Sequence, residues 1–376
     1  MSAGDKVRVF VGTRKGGYVV ESDRRRRRWK VSEPIQPGRE VFHMAPDSRV
    51  PGRVYALVNS VFWGPMLLRS TNSGKRWSEI PPPLMPRSGE RPPPNFDGTP
   101  SKDPVKNLWH LEPGPESEPK VVYIGIDPAS LFRSDDAGAS WTSMDGLNRH
   151  ETREKWNPGA GGMCLHTILL DPTDPKRMYV GISAAGTFRS DDAGEHWRPV
   201  NQGVRVSFQP EKYPAFGQCV HDVVLDAGDP KTLYRQDHDG IYVSHDGMES
   251  WRRVGRPLGS DFGFAVVSPP TMPGTAFFAP LGTMGRTMAD HRFEVWRWDD
   301  RGRSWHRTMK GKPYIGDFGM HREAFASDAL DPAGLYLGTT TGELFFSPDG
   351  ARSWQLVPYR FPAIHSVSAE SPPARR

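Results

Sequence analysis

Four of the twelve histidines recur at a nearly constant distance before an aromatic residue, and a fifth lies in a matching strand. The segments LHTILLDPTDPKRMY and VHDVVLDAGDPKTLY each place an imidazole 13 residues before a tyrosine, at His166 and His221. Counting back in the same way in the other segments, with one residue fewer for His43, adds His43, His110, Phe264 and Glu323, and His365 occupies the matching strand near the C-terminus. Neutral imidazole is the commonest metal ligand, so the five histidines predict a site for Fe, Cu, Zn or Mn.

Three or four of these histidines could bind one ion, with Glu323 as a further ligand, as the hydrogen-bond partner of a ligand, or as a general base. His321 and Arg322 precede Glu323 and complete the predicted catalytic group, with Arg322 as a clamp for an anion. Two other interpretations remain open. The histidines could bond to water and to each other in a hydrated channel, or imidazole and carboxylate could act as acid and base without a metal.

Polar residues also recur four positions after the aromatic residue that opens each second strand. Because that strand returns antiparallel, these side chains should lie beside the histidines and form a polar mouth. The predicted substrate-binding residues are Arg14, Asn59, Asp127, Ser183 and His238 from these positions, together with Phe264 from the histidine level. Three long loops, 82–107, 145–163 and 201–217, could cover this mouth as a lid.

A short phrase repeats along the chain and defines the elements that must position these residues. SDDAGASW ends at Trp141 and SDDAGEHW at Trp197, and looser copies end at Trp29, Trp77, Trp251, Trp305 and Trp354. The phrase resembles the Asp-box, or BNR, repeat of sialidase-like β-propellers, in which it forms the turn between the outer two strands of a blade. The resemblance and the period of 48 to 64 residues imply an all-β fold, a seven-bladed β-propeller of four-stranded antiparallel blades.

The two ends of the chain are predicted to close the propeller. The N-terminal VRVFVGTRKGGYVVESD supplies the later strands of a blade that lacks its innermost strand, and the C-terminal PAIHSVSAE supplies an innermost strand. Pairing them would remove both free sheet edges. Residues 1–376 are therefore predicted to form a single domain.

Composition agrees with many short strands and limits the possible partners. The chain has 39 Gly, 37 Pro and 12 Trp, and its two cysteines, Cys164 and Cys219, are too few for a disulfide framework. No N-terminal leader or membrane-spanning apolar stretch is evident, which predicts a cytoplasmic protein that does not act at a membrane. The net charge of +5 is small, so the run Arg24 to Arg28 is interpreted as a solvated turn and not as a nucleic-acid site.

These observations predict a metal-dependent enzyme that acts on a small organic substrate at a histidine-lined channel. The histidine set is similar to the four-histidine iron site of carotenoid cleavage oxygenases, which favours oxidative over hydrolytic or lyase chemistry. One alternative is a sialidase-like glycoside hydrolase with Glu323 and Asp127 as its two carboxylates, although the early Arg-Ile-Pro motif of sialidases is absent. The other is a non-catalytic binding or assembly scaffold.

Overall fold

The computed structural model describes residues 6–60, 64–84, 105–282, 287, 294–308 and 316–371. Within this part, the chain forms seven sheets of four antiparallel strands, which confirms the predicted class of a seven-bladed all-β propeller. Each sheet takes consecutive strands, except the one that combines the two ends of the chain. Short strands joined by turns are what the high glycine and proline content predicted.

The sheet that combines the chain ends contains β1 (Lys6–Thr13), β2 (Gly16–Asp23), β3 (Lys30–Val31) and β28 (Ile364–Glu370). The next sheet contains β4 (Glu40–Pro46), β5 (Val54–Asn59), β6 (Met66–Ser70) and β7 (Ser78–Ile80). The third contains β8 (Asn107–Pro113), β9 (Val122–Asp127), β10 (Ser130–Ser134) and β11 (Thr142–Ser143). The fourth contains β12 (Cys164–Leu170), β13 (Met178–Ser183), β14 (Gly186–Ser190) and β15 (Arg198–Pro199).

The fifth sheet contains β16 (Val220–Leu225), β17 (Leu233–Asp237), β18 (Gly240–Ser244) and β19 (Arg252–Arg253). The sixth contains β20 (Val266–Val267), β21 (Thr275–Phe278), β22 (Trp296–Asp299) and β23 (Ser304–Arg307). The last contains β24 (Phe325–Ser327), β25 (Leu335–Gly338), β26 (Leu344–Ser347) and β27 (Gln355–Leu356). Helix in the described residues is limited to α1 (Asp145–Asn148) and a 3₁₀ turn, Arg153–Lys155. None of it is long and apolar enough to cross a membrane.

Closure through the chain ends is observed in the first of these sheets. Strand β28 pairs antiparallel with β1, with Val367 opposite Val11. The C-terminal strand therefore occupies the edge of β1 that would otherwise be open, as predicted.

The chain divides into two compact units. The first comprises Met1–Pro46, His221–Ser244 and Arg253–Arg376, and the second comprises Asp47–Val220 and His245–Arg252. Each unit has its own buried apolar clusters, with Leu165, Val180 and Phe188 in the second and Phe277, Leu337 and Phe345 in the first. Each such side chain contributes about 1.5–3 kcal/mol through burial. The single-domain prediction for residues 1–376 stays a prediction.

The repeated phrase forms a compact hydrogen-bonded turn. In SDDAGASW, Ser134 Oγ accepts a hydrogen bond from the Gly138 amide, and Asp136 Oδ1 accepts one from the Ser140 amide. The backbone has left-handed φ at two successive residues, +62° at Ala137 and +88° at Gly138, a conformation that glycine adopts readily and alanine rarely does. The acidic side chain thus closes a turn that is specified locally by the sequence.

The arginine run near the N-terminus is only partly solvated, which corrects its interpretation. Arg25, Arg27 and Arg28 are exposed, but Arg26 is buried and pairs with Asp328, with Nη2 2.6 Å from Oδ1. Arg26 also donates to the carbonyls of Pro332 and Pro348. One member of the run therefore fixes the β2–β3 turn onto the sheet of β24–β27, within the first unit.

Candidate functional site

The strand register separates the predicted single level of histidines into two positions. His110 pairs with Gly125, but the residues in the matching pairs are Thr167 with Gly181 and Ser366 with Gly12. His166 and His365 lie one residue earlier, where each innermost strand carries a β-bulge. A bulge adds one residue to one strand and redirects its side chains. His110 and His166 are therefore not equivalent.

The physical reason is the length of the turns. The β12–β13 turn is closed by a hydrogen bond from the Asp171 amide to the Arg177 carbonyl, whereas the β8–β9 turn, from Gly114 to Val121, is one residue longer. Counting back 13 residues from Tyr123 therefore stops one residue short of the matching residue, Trp109. The turn after β4, from Asp47 to Arg53, has the same length as the β12–β13 turn.

The residue equivalent to His166 in β4 is consequently Phe42, and the shorter count that selected His43 was wrong. The ring of Phe42 stacks on His365, with centroids 5.3 Å apart. His43 lies one position later and is buried. Its Nδ1 hydrogen-bonds Oε2 of Glu323, and Glu323 forms a parallel bridge with Ser366 in β28.

A second imidazole–carboxylate pair lies beside the first. His365 Nε2 is 2.7 Å from Oε1 of Glu40, and the ring of His321 lies 4.9 Å from that of His365. Glu40 was not selected from the sequence, because it begins β4 and lies more than 300 residues from His365. The first unit thus brings His43, His321, Glu323 and His365 together with Glu40. We call these five residues the imidazole–carboxylate cluster.

Charges in this cluster are set by its own members. Hydrogen bonding to His365 lowers the pKa of Glu40, and Arg14 and His321 lower it further. The carboxylate is therefore ionised at neutral pH.

His321 has solvent-exposed surface, yet surrounding protein removes most of its hydration. That desolvation, with repulsion from His365 and Arg322, lowers the pKa of His321 to about 4. At neutral pH the ring is therefore uncharged, which is the form that can bind a metal ion. Arg14 is exposed and Arg322 half-buried.

His221, His238 and Phe264 form a separate group in the first unit. His221 Nδ1 donates to the Gly263 carbonyl at 2.6 Å, and its ring stacks on Phe264 at 4.6 Å. His238 meets His221 edge-on, with centroids 5.8 Å apart. Phe262 contacts both imidazoles.

In the second unit, the predicted residues His166 and Asn59 form hydrogen bonds with other residues of the chain. His166 is buried with both ring nitrogens bonded, Nδ1 to Thr167 Oγ1 at 2.9 Å and Nε2 to the Val220 carbonyl at 3.1 Å. Asn59 spans both backbone groups of Leu108. The substrate-binding role of Asn59 stays a prediction, and the ring bonds of His166 leave it poorly suited to bind a metal.

Two further predicted residues of the second unit differ in surroundings. His110 is half-buried, with Nε2 3.4 Å from Glu112 Oε2. Ser183 is fully buried, with its Oγ 3.9 Å from the Cys219 sulfur. Their predicted roles remain untested.

Asp127 is a buried carboxyl group at the end of β9. Burial raises the pKa of Asp127 to about 6, against smaller opposing effects of Lys106 and Asn107. The backbone of Gly162 lies close to it, since a Cβ there would be 2.7 Å from Oδ2. Loop 145–163 therefore ends against this carboxyl. Of the other loops considered as a lid, residues 85–104 lie outside the described part, and the lid function stays a prediction.

We expect Asp127 to make stability depend on pH. Because folding raises its pKa above the unfolded value of 3.8, its contribution is fully present below pH 3.8 and is lost as pH rises through about 6. The full change corresponds to about 3 kcal/mol. Asp127→Asn should remove this loss, as measured by denaturant unfolding at pH 4 and pH 7. The exposed Asp135→Asn serves as the control, and equal pH dependence in wild type and Asp127→Asn would contradict the assignment.

Fold and site together define a seven-bladed β-propeller with imidazole–carboxylate pairs contributed by its innermost strands. No family model matches the sequence. The chain is 22% identical over 193 residues to the vacuolar protein sorting/targeting protein 10 of Fusarium vanettenii, an alignment that covers 50% of this chain and 10% of that protein.

Solved structures with similar folds include two described as enzymes. An ancestral GH74 enzyme matches with a TM-score of 0.55 and 14% identity, over 88% of this chain and 38% of that one. A provisionally assigned 6-phosphogluconolactonase of Bacteroides fragilis matches with a TM-score of 0.57 and 10% identity, over 98% and 99% of the two chains. At these identities the likeness shows the fold alone. The chain spans well under half of the GH74 enzyme and a tenth of the curated relative.

Proposed function

We propose that the protein is a metal-dependent enzyme that acts on a small organic substrate, with the ion bound at the imidazole–carboxylate cluster. The observation that carries this proposal is the pairing of two of its imidazoles with carboxylates, His43 with Glu323 and His365 with Glu40. Metal-binding histidines characteristically donate their second ring N–H to a carboxylate. The recurring acidic turns further support placing the chain among the Asp-box proteins.

The carboxylates orient the imidazole rings that they contact. An ionised carboxylate only accepts hydrogen bonds, so His43 Nδ1 carries the proton in its bond to Glu323 and the lone pair remains on His43 Nε2. His365 Nε2 lies 2.7 Å from Glu40 Oε1, so this nitrogen is the one closest to the second carboxylate. Sequence-distant glutamates thereby orient two imidazoles, and the low pKa of His321 keeps a further imidazole of the cluster neutral.

A transition metal bound here would supply Lewis-acid or redox chemistry. Imidazole is a ligand in many catalytic zinc sites and suits Fe and Cu equally. We favour oxidative over hydrolytic or lyase chemistry. Arg14 and Arg322, whose charges act on Glu40 and His321, are suited to bind an anionic group of the substrate.

The test is reconstitution of protein purified without a histidine tag, with Fe, Cu, Zn and Mn supplied separately. We expect about one equivalent of one of these metals at the cluster, and a 10–100-fold lower affinity in Glu40→Gln and Glu323→Gln. Elemental analysis and competitive titration measure both. Glu211→Gln, an exposed residue, is the matched control. Lack of metal after repletion, or unchanged affinity in both glutamine variants, would exclude the proposal.

A glycoside hydrolase is the second candidate, supported by the raised pKa of Asp127. A carboxyl group that is partly protonated near neutral pH can serve as the general acid of such an enzyme. This candidate predicts metal-independent release of reducing sugar from a polysaccharide panel, abolished in Asp127→Asn. Hydrolysis that survives this substitution would rule it out.

A further inference from the structure

We propose a second metal site, for a copper ion, formed by His221 and His238 in the first unit. His221 lies in β16 and His238 in the turn after β17. The nitrogens that the two rings can offer lie within 4.8 Å of each other. This site is separate from the catalytic ion proposed above, which uses none of these residues.

The hydrogen bond of His221 fixes its chemical form. Its Nδ1 lies 2.6 Å from the Gly263 carbonyl, and a carbonyl oxygen can only accept a hydrogen bond, so Nδ1 carries the proton. Nε2 then carries the lone pair, which is the form that binds a metal. His221 is 2% exposed, so this orientation is set by packing and requires little ordering on binding.

Aromatic rings enclose the pair. Phe264 stacks on His221, and Phe262 meets His221 and His238 edge-on at 5.7 and 5.4 Å. The planes of the two imidazoles are 80° apart, so the rings are crossed and not stacked on each other. Apolar walls hold the ligands in place and lower the local dielectric, which favours neutral ligands over carboxylates.

The donor set and spacing select copper. At a given nitrogen site, Cu²⁺ binds more tightly than the other divalent first-row metals, including Zn²⁺. Metal–nitrogen bonds of about 2.0 Å place two ligands on one ion at most about 4 Å apart. Reaching this spacing needs at most a small movement of His238, which is half-buried and lies in a turn.

The experiment separates this site from the catalytic one. In the double variant His43→Ala/His365→Ala, we expect one copper equivalent to survive washing with a weak chelator, with nitrogen hyperfine coupling in the electron paramagnetic resonance spectrum. Adding His238→Asn should lower copper affinity at least tenfold. His196→Asn, at a side chain that is 90% exposed, should leave it unchanged.

A parallel comparison in the wild-type background does not depend on the double variant folding. His238→Asn alone should lose one retained copper equivalent relative to wild type, with an unchanged melting temperature. Equal copper in wild type and His238→Asn would overturn the proposal. The two proposals can also fail separately. If the double variant retains copper and the metal affinity of Glu40→Gln and Glu323→Gln is unchanged, the catalytic site is refuted and this site is supported.

Discussion

Asp328→Ala is expected to lower the free energy of unfolding by about 3–5 kcal/mol. The carboxylate is buried and accepts two hydrogen bonds from Arg26, at 2.8 and 2.6 Å, and a third from the Tyr336 hydroxyl at 2.7 Å. Its removal leaves a buried guanidinium without its counter-charge. Because Arg26 belongs to the sheet that closes the chain, the loss should weaken that sheet first. Denaturant-induced unfolding measures the effect.

The same arginine run supplies the control for this prediction. Arg27 is exposed, and Arg27→Ala should change stability by no more than about 0.5 kcal/mol. A loss below 1 kcal/mol in Asp328→Ala, or equal losses in the two variants, would show that the buried ion pair does not stabilise the closing sheet.

His365→Ala is expected to lower the affinity of the protein for the proposed catalytic metal by more than about 100-fold. This loss is larger than the 10–100-fold expected when only the hydrogen-bond partner of a ligand is replaced. His365 contacts Glu40, His321 and the ring of Phe42, so the variant removes the residue that links the cluster. Competitive metal titration measures the change.

A conservative variant separates ligation from packing. His365→Phe keeps a planar ring against Phe42 but removes both nitrogens, so it should lose metal as fully as His365→Ala while melting closer to wild type. His196→Ala, which changes an exposed turn histidine, should retain wild-type affinity. Full metal loading in His365→Phe would contradict the proposed ligand role.

How far the sequence could predict the site is illustrated by His43 and Glu40. His166 and His365 occupy matching positions at the bulges of β12 and β28, the first because its turn has the length that the count assumed and the second because its strand was recognised. The count misplaced His43 and His110 by one residue, since one turn was assumed too short and another is longer than the count allowed. Glu40 carried no signal, because its partner is distant in sequence.

The sequence by itself determined the architecture of this protein. The best-matching repeated turns are closed by neighbouring residues, Ser134 and Asp136 in one copy and Ser190 and Asp192 in the next, so these hairpins can be read locally. Only the tertiary structure decided which side chains meet. One bulge or one extra turn residue moves a side chain to another face, and the pairs His43–Glu323 and His365–Glu40 form only when strands distant in sequence lie side by side.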